Sequence, residues 1–222
     1  MSRTRIKICG ITTPQDALAA ADAGADAVGL VFHPPSRRNL SRAQAAEILA
    51  ALPPMITAVG LFVDLPVEQV RSIATELHLS HVQLNGHESP QFVAELAGFC
   101  VVKAIHVAQK TFAEELRLWR GAVAPAGASP LRGLVLETAG QVGGSGIAND
   151  WDAVVAARAA GALDGLPPLI AAGGLQAETV GQVVRMLHPW GVDVSSGVES
   201  SPGRKSAEKI RRFIEAVRQA EI

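Results

Sequence analysis

Cysteine is scarce in this chain, with only Cys9 and Cys100 among 222 residues. Two thiols cannot make the disulfide framework of a small secreted fold. Without a Cys-x-x-Cys or His-x-x-x-His spacing, no metal site is expected either. Excess charge of one sign is also missing, since 20 Lys and Arg stand against 21 Asp and Glu for a net charge of −1. That balance offers no electrostatic footprint for a nucleic-acid backbone or an anionic membrane. No apolar run approaches the roughly 18 residues of a membrane span. The first residues lack the apolar stretch of roughly 7 to 15 that marks a secretory signal. These absences lead us to expect a soluble protein of a reducing compartment, the cytoplasm, with no nucleic-acid or membrane partner.

What is present is one alternation repeated along the chain. Apolar runs rich in β-branched residues recur at 6–8, 27–32, 56–63, 82–84, 101–105, 133–136, 169–171 and 192–194. Ala-rich helical stretches follow them at 14–23, 42–52, 67–77, 90–97, 112–119, 151–160, 177–187 and 207–220. Helix starts carry their own chemistry. Thr13-Pro14-Gln15-Asp16 offers an N-cap with proline at N1, Ser41 to Gln44 reads as a capping box, and Ser89-Pro90 repeats the cap-then-proline device. Strands that alternate with helices pair in parallel through right-handed crossovers, and both sheet faces are then covered. Eight units exceed the five or six strands of a doubly wound open sheet, so the pattern predicts an α/β fold of the (β/α)8 TIM-barrel type over residues 1–222 as a single domain. Residues 122–130 (AVAPAGASP) read as a surface loop within it.

In such a barrel the chemistry lies at the carboxyl ends of the strands. The residues found there are Cys9, His33, Asp64, Asn85, His106, Glu137, Gly173-Gly174 and Ser195-Ser196-Gly197, with Arg37 and Arg38 in the loop after strand 2. Lys7 and Asp193 lie slightly earlier on strands 1 and 8, which adjoin in a closed barrel and can form an ion pair. Two consecutive loops without bulky side chains, at 173–174 and 195–197, let backbone N–H groups approach a ligand, as a phosphate site requires. Arg38 follows two prolines and presents a planar fork suited to a carboxylate. Cys9 precedes a helix start, where a thiolate is expected to be stabilised. Cys100 begins its strand and so faces the opposite mouth. Glu137, followed by the glycine-rich segment 141–146, is expected to have a raised pKa when desolvated, as a general acid needs.

Beyond these single residues, the chain carries Lys7-Ile8-Cys9-Gly10-Ile11-Thr12 at one end and Val192-Asp193-Val194-Ser195-Ser196-Gly197-Val198-Glu199 with Pro202-Gly203-Arg204-Lys205 at the other. Between them stand Asp26-Ala27-Val28-Gly29-Leu30-Val31-Phe32, Val59-Gly60-Leu61-Phe62-Val63, Val82-Gln83-Leu84, Gly143-Gly144-Ser145-Gly146 and Ala172-Gly173-Gly174-Leu175. In these motifs the chain resembles the phosphoribosylanthranilate isomerases of tryptophan biosynthesis over nearly its whole length. The resemblance implies a TIM barrel without metal or organic cofactor that rearranges N-(5′-phosphoribosyl)anthranilate, a phosphosugar, to the corresponding aminodeoxyribulose phosphate, as a monomer or homodimer. Carried onto this chain, it makes Cys9 the base, Glu137 the acid, Arg38 the partner of the anthranilate carboxylate and Asp193 a contact to the sugar or amine. The phosphate falls on Gly173, Gly174, Ser195, Ser196 and Gly197.

Two positions depart from the family pattern. Glu137 stands where an aspartate is usual, and Asn85 where a histidine is usual. The glutamate keeps the acid and adds a methylene, whereas Asn85 can hydrogen-bond substrate but cannot carry a proton. Other readings remain open on these residues: a phosphosugar epimerase or synthase sharing the same loops, and a barrel that binds a phosphorylated ligand without turnover. Bifunctional barrels that also take the histidine-pathway substrate carry aspartate at the strand 1 position, so Cys9 argues against that activity.

Overall fold

Burying both faces of a strand calls for apolar residues at successive positions, and the strands of this protein follow that rule. A computed structural model describes residues 3–107, 112–122, 129–137 and 151–221. Its strands are β1 (Arg5–Cys9), β2 (Ala27–Phe32), β3 (Thr57–Phe62), β4 (His81–Leu84), β5 (Cys100–His106), β6 (Leu131–Glu137), β7 (Leu169–Ala171) and β8 (Gly191–Val194). All pair in parallel in chain order, and β1 also pairs with β8 to close the barrel. The intervening helices are α1 (Pro14–Asp22), α2 (Arg42–Ala51), α3 (Val67–Glu76), α4 (Pro90–Glu95), α5 (Phe112–Gly121), α6 (Trp151–Ala159), α7 (Ala177–Leu187) and α8 (Ala207–Ala220). None is long and apolar enough, among the described residues, to cross a membrane.

The expected caps form. Thr13 Oγ1 accepts from the Asp16 N–H at 3.1 Å, Ser89 Oγ from Phe92 at 3.3 Å, and Ser41 with Gln44 closes a capping box. Each satisfies backbone donors that the first helical turn leaves free. In α8, Ile210, Phe213, Ile214 and Val217 recur at helical spacing and are all buried.

Strand alternation sorts the side chains into two sets. Ile6, Ile8, Val28, Leu30, Leu84, Ile105, Leu134 and Val192 join the large core beneath the helices. The residues between them fill the barrel in two separate apolar clusters, Cys9 with Val31, Leu61 and Val63, and Ala104 with Val135, Ile170 and Ala172. Lys7, Gln83, Asn85, Glu137 and Asp193 are buried as well.

One element was not foreseen. After a 3-10 turn at Ser196–Val198 the chain forms a short antiparallel hairpin, β9 (Glu199–Ser201) and β10 (Arg204–Lys205). It sits between β8 and α8. Residues 122–130 do lie between α5 and β6, although 123–128 are outside the described residues, as is the glycine-rich segment 141–146.

Candidate active site

On β1 the outward Ile6 and Ile8 fix Lys7 and Cys9 as inward residues, and the β1–β8 register sets Lys7 opposite Asp193. The expected ion pair forms, with Lys7 Nζ 2.8 Å from Asp193 Oδ2 and both side chains almost wholly buried. Burial alone would drive the lysine towards neutrality, but the Asp193 charge, reinforced by Cys9, outweighs it and raises its pKa. The other oxygen, Asp193 Oδ1, is buried without a hydrogen-bond partner among the described residues.

Cys9 needs space that a neighbour gives up. Gly29 pairs with it on β2, and a Cβ at that glycine would lie 2.7 Å from Cys9 Sγ and 3.1 Å from Lys7 Nζ. Any side chain there would displace both groups. The expectation of a stabilised thiolate needs correction. Burial pushes the Cys9 thiol up, and the Lys7 charge only partly offsets this. Thr13 already caps the first turn of α1, and Cys9 packs with Val31, Leu61 and Val63.

A second arrangement joins β4 to β6. Gln83 Nε2 donates to Asn85 Oδ1 at 2.8 Å, and Asn85 Nδ2 donates to Glu137 Oε2 at 2.8 Å, all buried. Asn85 and Glu137 therefore touch each other inside the barrel. Glu137 is pushed up to about 7, first by burial and then by the Asp193 charge, against the Asn85 hydrogen bond and the charges of Lys7 and Lys103. Such a carboxyl holds a proton near neutral pH, which a general acid must do.

Behind Asn85, Lys103 Nζ donates to Gly86 O at 2.7 Å and lies 3.0 Å from Glu88 Oε2. Glu88 also accepts the N–H groups of Asp64 and Gly86. This buried pair fixes the backbone just after Asn85.

Arg38 reaches the site across Gly10, where a Cβ would stand 2.3 Å from Arg38 Cδ and 3.1 Å from Ser195 Oγ. Rigid prolines are not what holds its fork. Nε and Nη2 donate to Glu199 Oε1 and Oε2 at 2.7 and 2.9 Å. Lys205 Nζ lies 3.0 Å from Glu199 Oε1 and donates to Ser195 O at 3.1 Å. The glycine loops meet beside this group. Gly173 and Gly174 both adopt positive φ, at 87° and 65°, which favours glycine. A Cβ on Gly197 would sit 2.0 Å from the Leu175 carbonyl oxygen, so only glycine lets the two loops approach this closely. None of the hydrogen bonds among the described residues uses the N–H of Gly173, Gly174, Ser196 or Gly197.

The structure thus links Asn85 with Glu137 and Lys7 with Asp193 beside Cys9, and it sets Arg38 next to Cys9 and Ser195. It leaves Asp64 bound to His87 and Cys100 at the amino-terminal mouth with Trp190 and Arg132. Sequence reasoning gave no role to Gln83, Glu88, Lys103, Glu199 or Lys205. The available signal was a charged or amide residue inside an otherwise apolar or hairpin-forming segment, which is rarely buried unless it is paired.

The chain is similar to known proteins over nearly its whole length. A family model described as N-(5′-phosphoribosyl)anthranilate (PRA) isomerase matches residues 6–216. The chain is similar to the N-(5′-phosphoribosyl)anthranilate isomerase of Geobacter sulfurreducens, 43% identical over 210 residues that span 95% of this chain and 96% of the relative. Among solved structures, phosphoribosyl anthranilate isomerase from Thermotoga maritima superposes with a TM-score of 0.85 at 35% identity, covering 97% of this chain and 99% of that one. A further structure, at TM-score 0.82 and 34% identity over 97% and 99% of the two chains, is that of a phosphoribosyl anthranilate isomerase in complex with reduced 1-(o-carboxyphenylamino)-1-deoxyribulose 5-phosphate.

Proposed function

Because the chain belongs to the N-(5′-phosphoribosyl)anthranilate isomerase family, we propose that Glu137 and Cys9 are the acid and base of its reaction. The protein converts N-(5′-phosphoribosyl)anthranilate to 1-(2-carboxyphenylamino)-1-deoxyribulose 5-phosphate, an Amadori rearrangement in tryptophan biosynthesis.

The observation that carries the assignment is the buried Glu137 carboxyl, raised to about 7. Protonated, it donates to the ribose ring oxygen as the bond from that oxygen to C1′ breaks. The nitrogen lone pair moves in and forms an iminium. The Cys9 thiolate, formed once the thiol has lost its proton to solvent and faced by the Lys7 charge, removes the C2′ proton, and the electron pair of that bond neutralises the iminium to give an enolamine. Protonation at C1′ and loss of the 2′-hydroxyl proton then yield the ketose. Each positioned proton transfer contributes about 10² to 10⁴ in rate.

The remaining groups bind. Asp193 Oδ1, with no partner of its own among the described residues, accepts a hydrogen bond from the sugar or the amine. Asn85 orients the acid. The N–H groups around Gly173-Gly174 and Ser195-Ser196-Gly197 hold the phosphate, and Arg38 holds the carboxylate. Loss of anthranilate-type fluorescence from freshly generated substrate tests the reading with EDTA present. Wild type should turn over unaffected by EDTA, and Glu137→Gln should lose turnover while still binding the reduced product analogue. Retention of kcat by Glu137→Gln would remove the acid assignment.

A further inference from the structure

The fork of Arg38 is already shared. An arginine has five N–H donors on two usable edges, the side edge made by Nε and one Nη, and the end edge made by the two Nη atoms. Glu199 occupies the side edge with two hydrogen bonds at 2.7 and 2.9 Å, and no other hydrogen bond among the described residues uses the guanidinium. The end edge is left for a second planar anion. Glu199 is itself fixed from two further directions, by Lys205 Nζ at 3.0 Å on Oε1 and by Lys209 Nζ at 2.7 Å on its backbone oxygen. Lys205 has a fully buried side chain and also bonds Ser195 O. Gly203, in the hairpin turn, is pinned in turn by Thr12 Oγ1 donating to its carbonyl oxygen.

From this geometry we infer that Glu199 is the positioning residue for Arg38, aiming its end edge at the substrate carboxylate, and that Lys205 ties that aim to the phosphate loop. The inference rests on the reading of Arg38 as the carboxylate partner. Glu199 touches no substrate on this account. It sets specificity by holding a flexible arginine in a single orientation before substrate arrives, which lowers the ordering cost of binding.

Two competitive inhibitors read this out: the reduced carboxyphenylamino deoxyribulose phosphate and its phenylamino counterpart, which lacks the carboxylate. Their ratio of inhibition constants isolates the carboxylate contact, because both carry the phosphate. In Glu199→Gln one of the two hydrogen bonds to Arg38 is lost, and the preference for the carboxylated inhibitor should fall about tenfold. Binding of the phenylamino inhibitor should stay within about twofold, and KM should rise with little change in kcat, as for lost uniform binding. Lys205 would then be buried without its anion, so the double variant Glu199→Gln/Lys205→Met, which removes both charges, serves if the single variant does not fold.

Equal weakening of both inhibitors in these variants would show that the pair merely supports the loop, and would overturn the inference. If Arg38→Gln abolishes the preference while the Glu199 variants keep it, the positioning role alone falls. If Arg38→Gln keeps the preference, the carboxylate assignment of Arg38 fails and the inference with it.

Discussion

Replacing Glu137 by glutamine should stabilise the fold at alkaline pH and leave it nearly unchanged at acid pH. A carboxyl whose pKa rises from its ordinary 4.5 to about 7 in the folded state binds its proton more tightly folded than unfolded. Below pH 4.5 it is protonated in both states and costs nothing. As pH rises through the interval the unfolded chain loses the proton first, so stability falls, and the full cost is reached above about 7. At about 1.36 kcal/mol per pH unit, that cost is about 3.4 kcal/mol. Integrating between pH 5 and pH 8 gives a change of about 2.5 kcal/mol. Glutamine has no proton to lose, and its amide oxygen still accepts from Asn85 Nδ2, so the hydrogen bond to that residue survives. Urea unfolding of wild type and Glu137→Gln at pH 5, 6.5 and 8 measures the effect, and groups common to both proteins cancel in the difference. A stability difference independent of pH would refute the reasoning, because it would mean that Glu137 is not held protonated by its surroundings.

Two glycines give further outcomes. Gly29→Ala places a methyl 2.7 Å from Cys9 Sγ and 3.1 Å from Lys7 Nζ, so kcat should drop by about tenfold or more, with about 1–3 kcal/mol of lost stability. Steady-state rates and thermal unfolding check both, and an unchanged kcat would show that the thiol needs no such space. Gly197→Ala drives a methyl against the Leu175 carbonyl oxygen and should part the two glycine loops proposed to hold the phosphate. KM, and the inhibition constant of inorganic phosphate, should then rise about tenfold or more while kcat at saturation changes less, since Cys9 and Glu137 lie elsewhere. A fall in kcat with KM unchanged would place the phosphate away from these loops.

The barrel was legible because its signals are local and repeated. Apolar runs bounded by capped helices, such as Thr13 before α1 and Ser41 before α2, give strand and helix positions to within about two residues. Strand ends were legible for the same reason, because a polar residue closing an apolar run stands out. Partnership across the barrel was not. Lys7 and Asp193 could be paired from closure alone, since first and last strands must meet. Nothing local shows that Asn85 reaches over β5 to Glu137, which requires the small Ala104 to be the inward residue of the strand between them. The β9–β10 hairpin was missed because Glu199–Ser201 and Arg204–Lys205 are too short and polar to show a strand period. Its one turn signal, Pro202-Gly203, reads equally well as a loop.

Asn85 and Glu137 form one unit, the amide donating to the carboxyl at 2.8 Å. The same burial that serves Glu137 works against Cys9, since it raises both. A protonated acid is ready at neutral pH and a thiolate is not. The proposed order of steps resolves the conflict. Proton transfer from Glu137 opens the sugar and creates an iminium, a unit positive charge adjoining the carbon that Cys9 must deprotonate. A positive charge beside the thiol favours its ionised form, as the Lys7 charge already does in part. The carboxylate left on Glu137 opposes this less, because it is hydrogen-bonded by Asn85 and faces the charges of Lys7 and Lys103. Cys9 is thus held as a thiol in the free site and, once the iminium charge stands beside it, loses its proton to solvent and can then take the one on C2′.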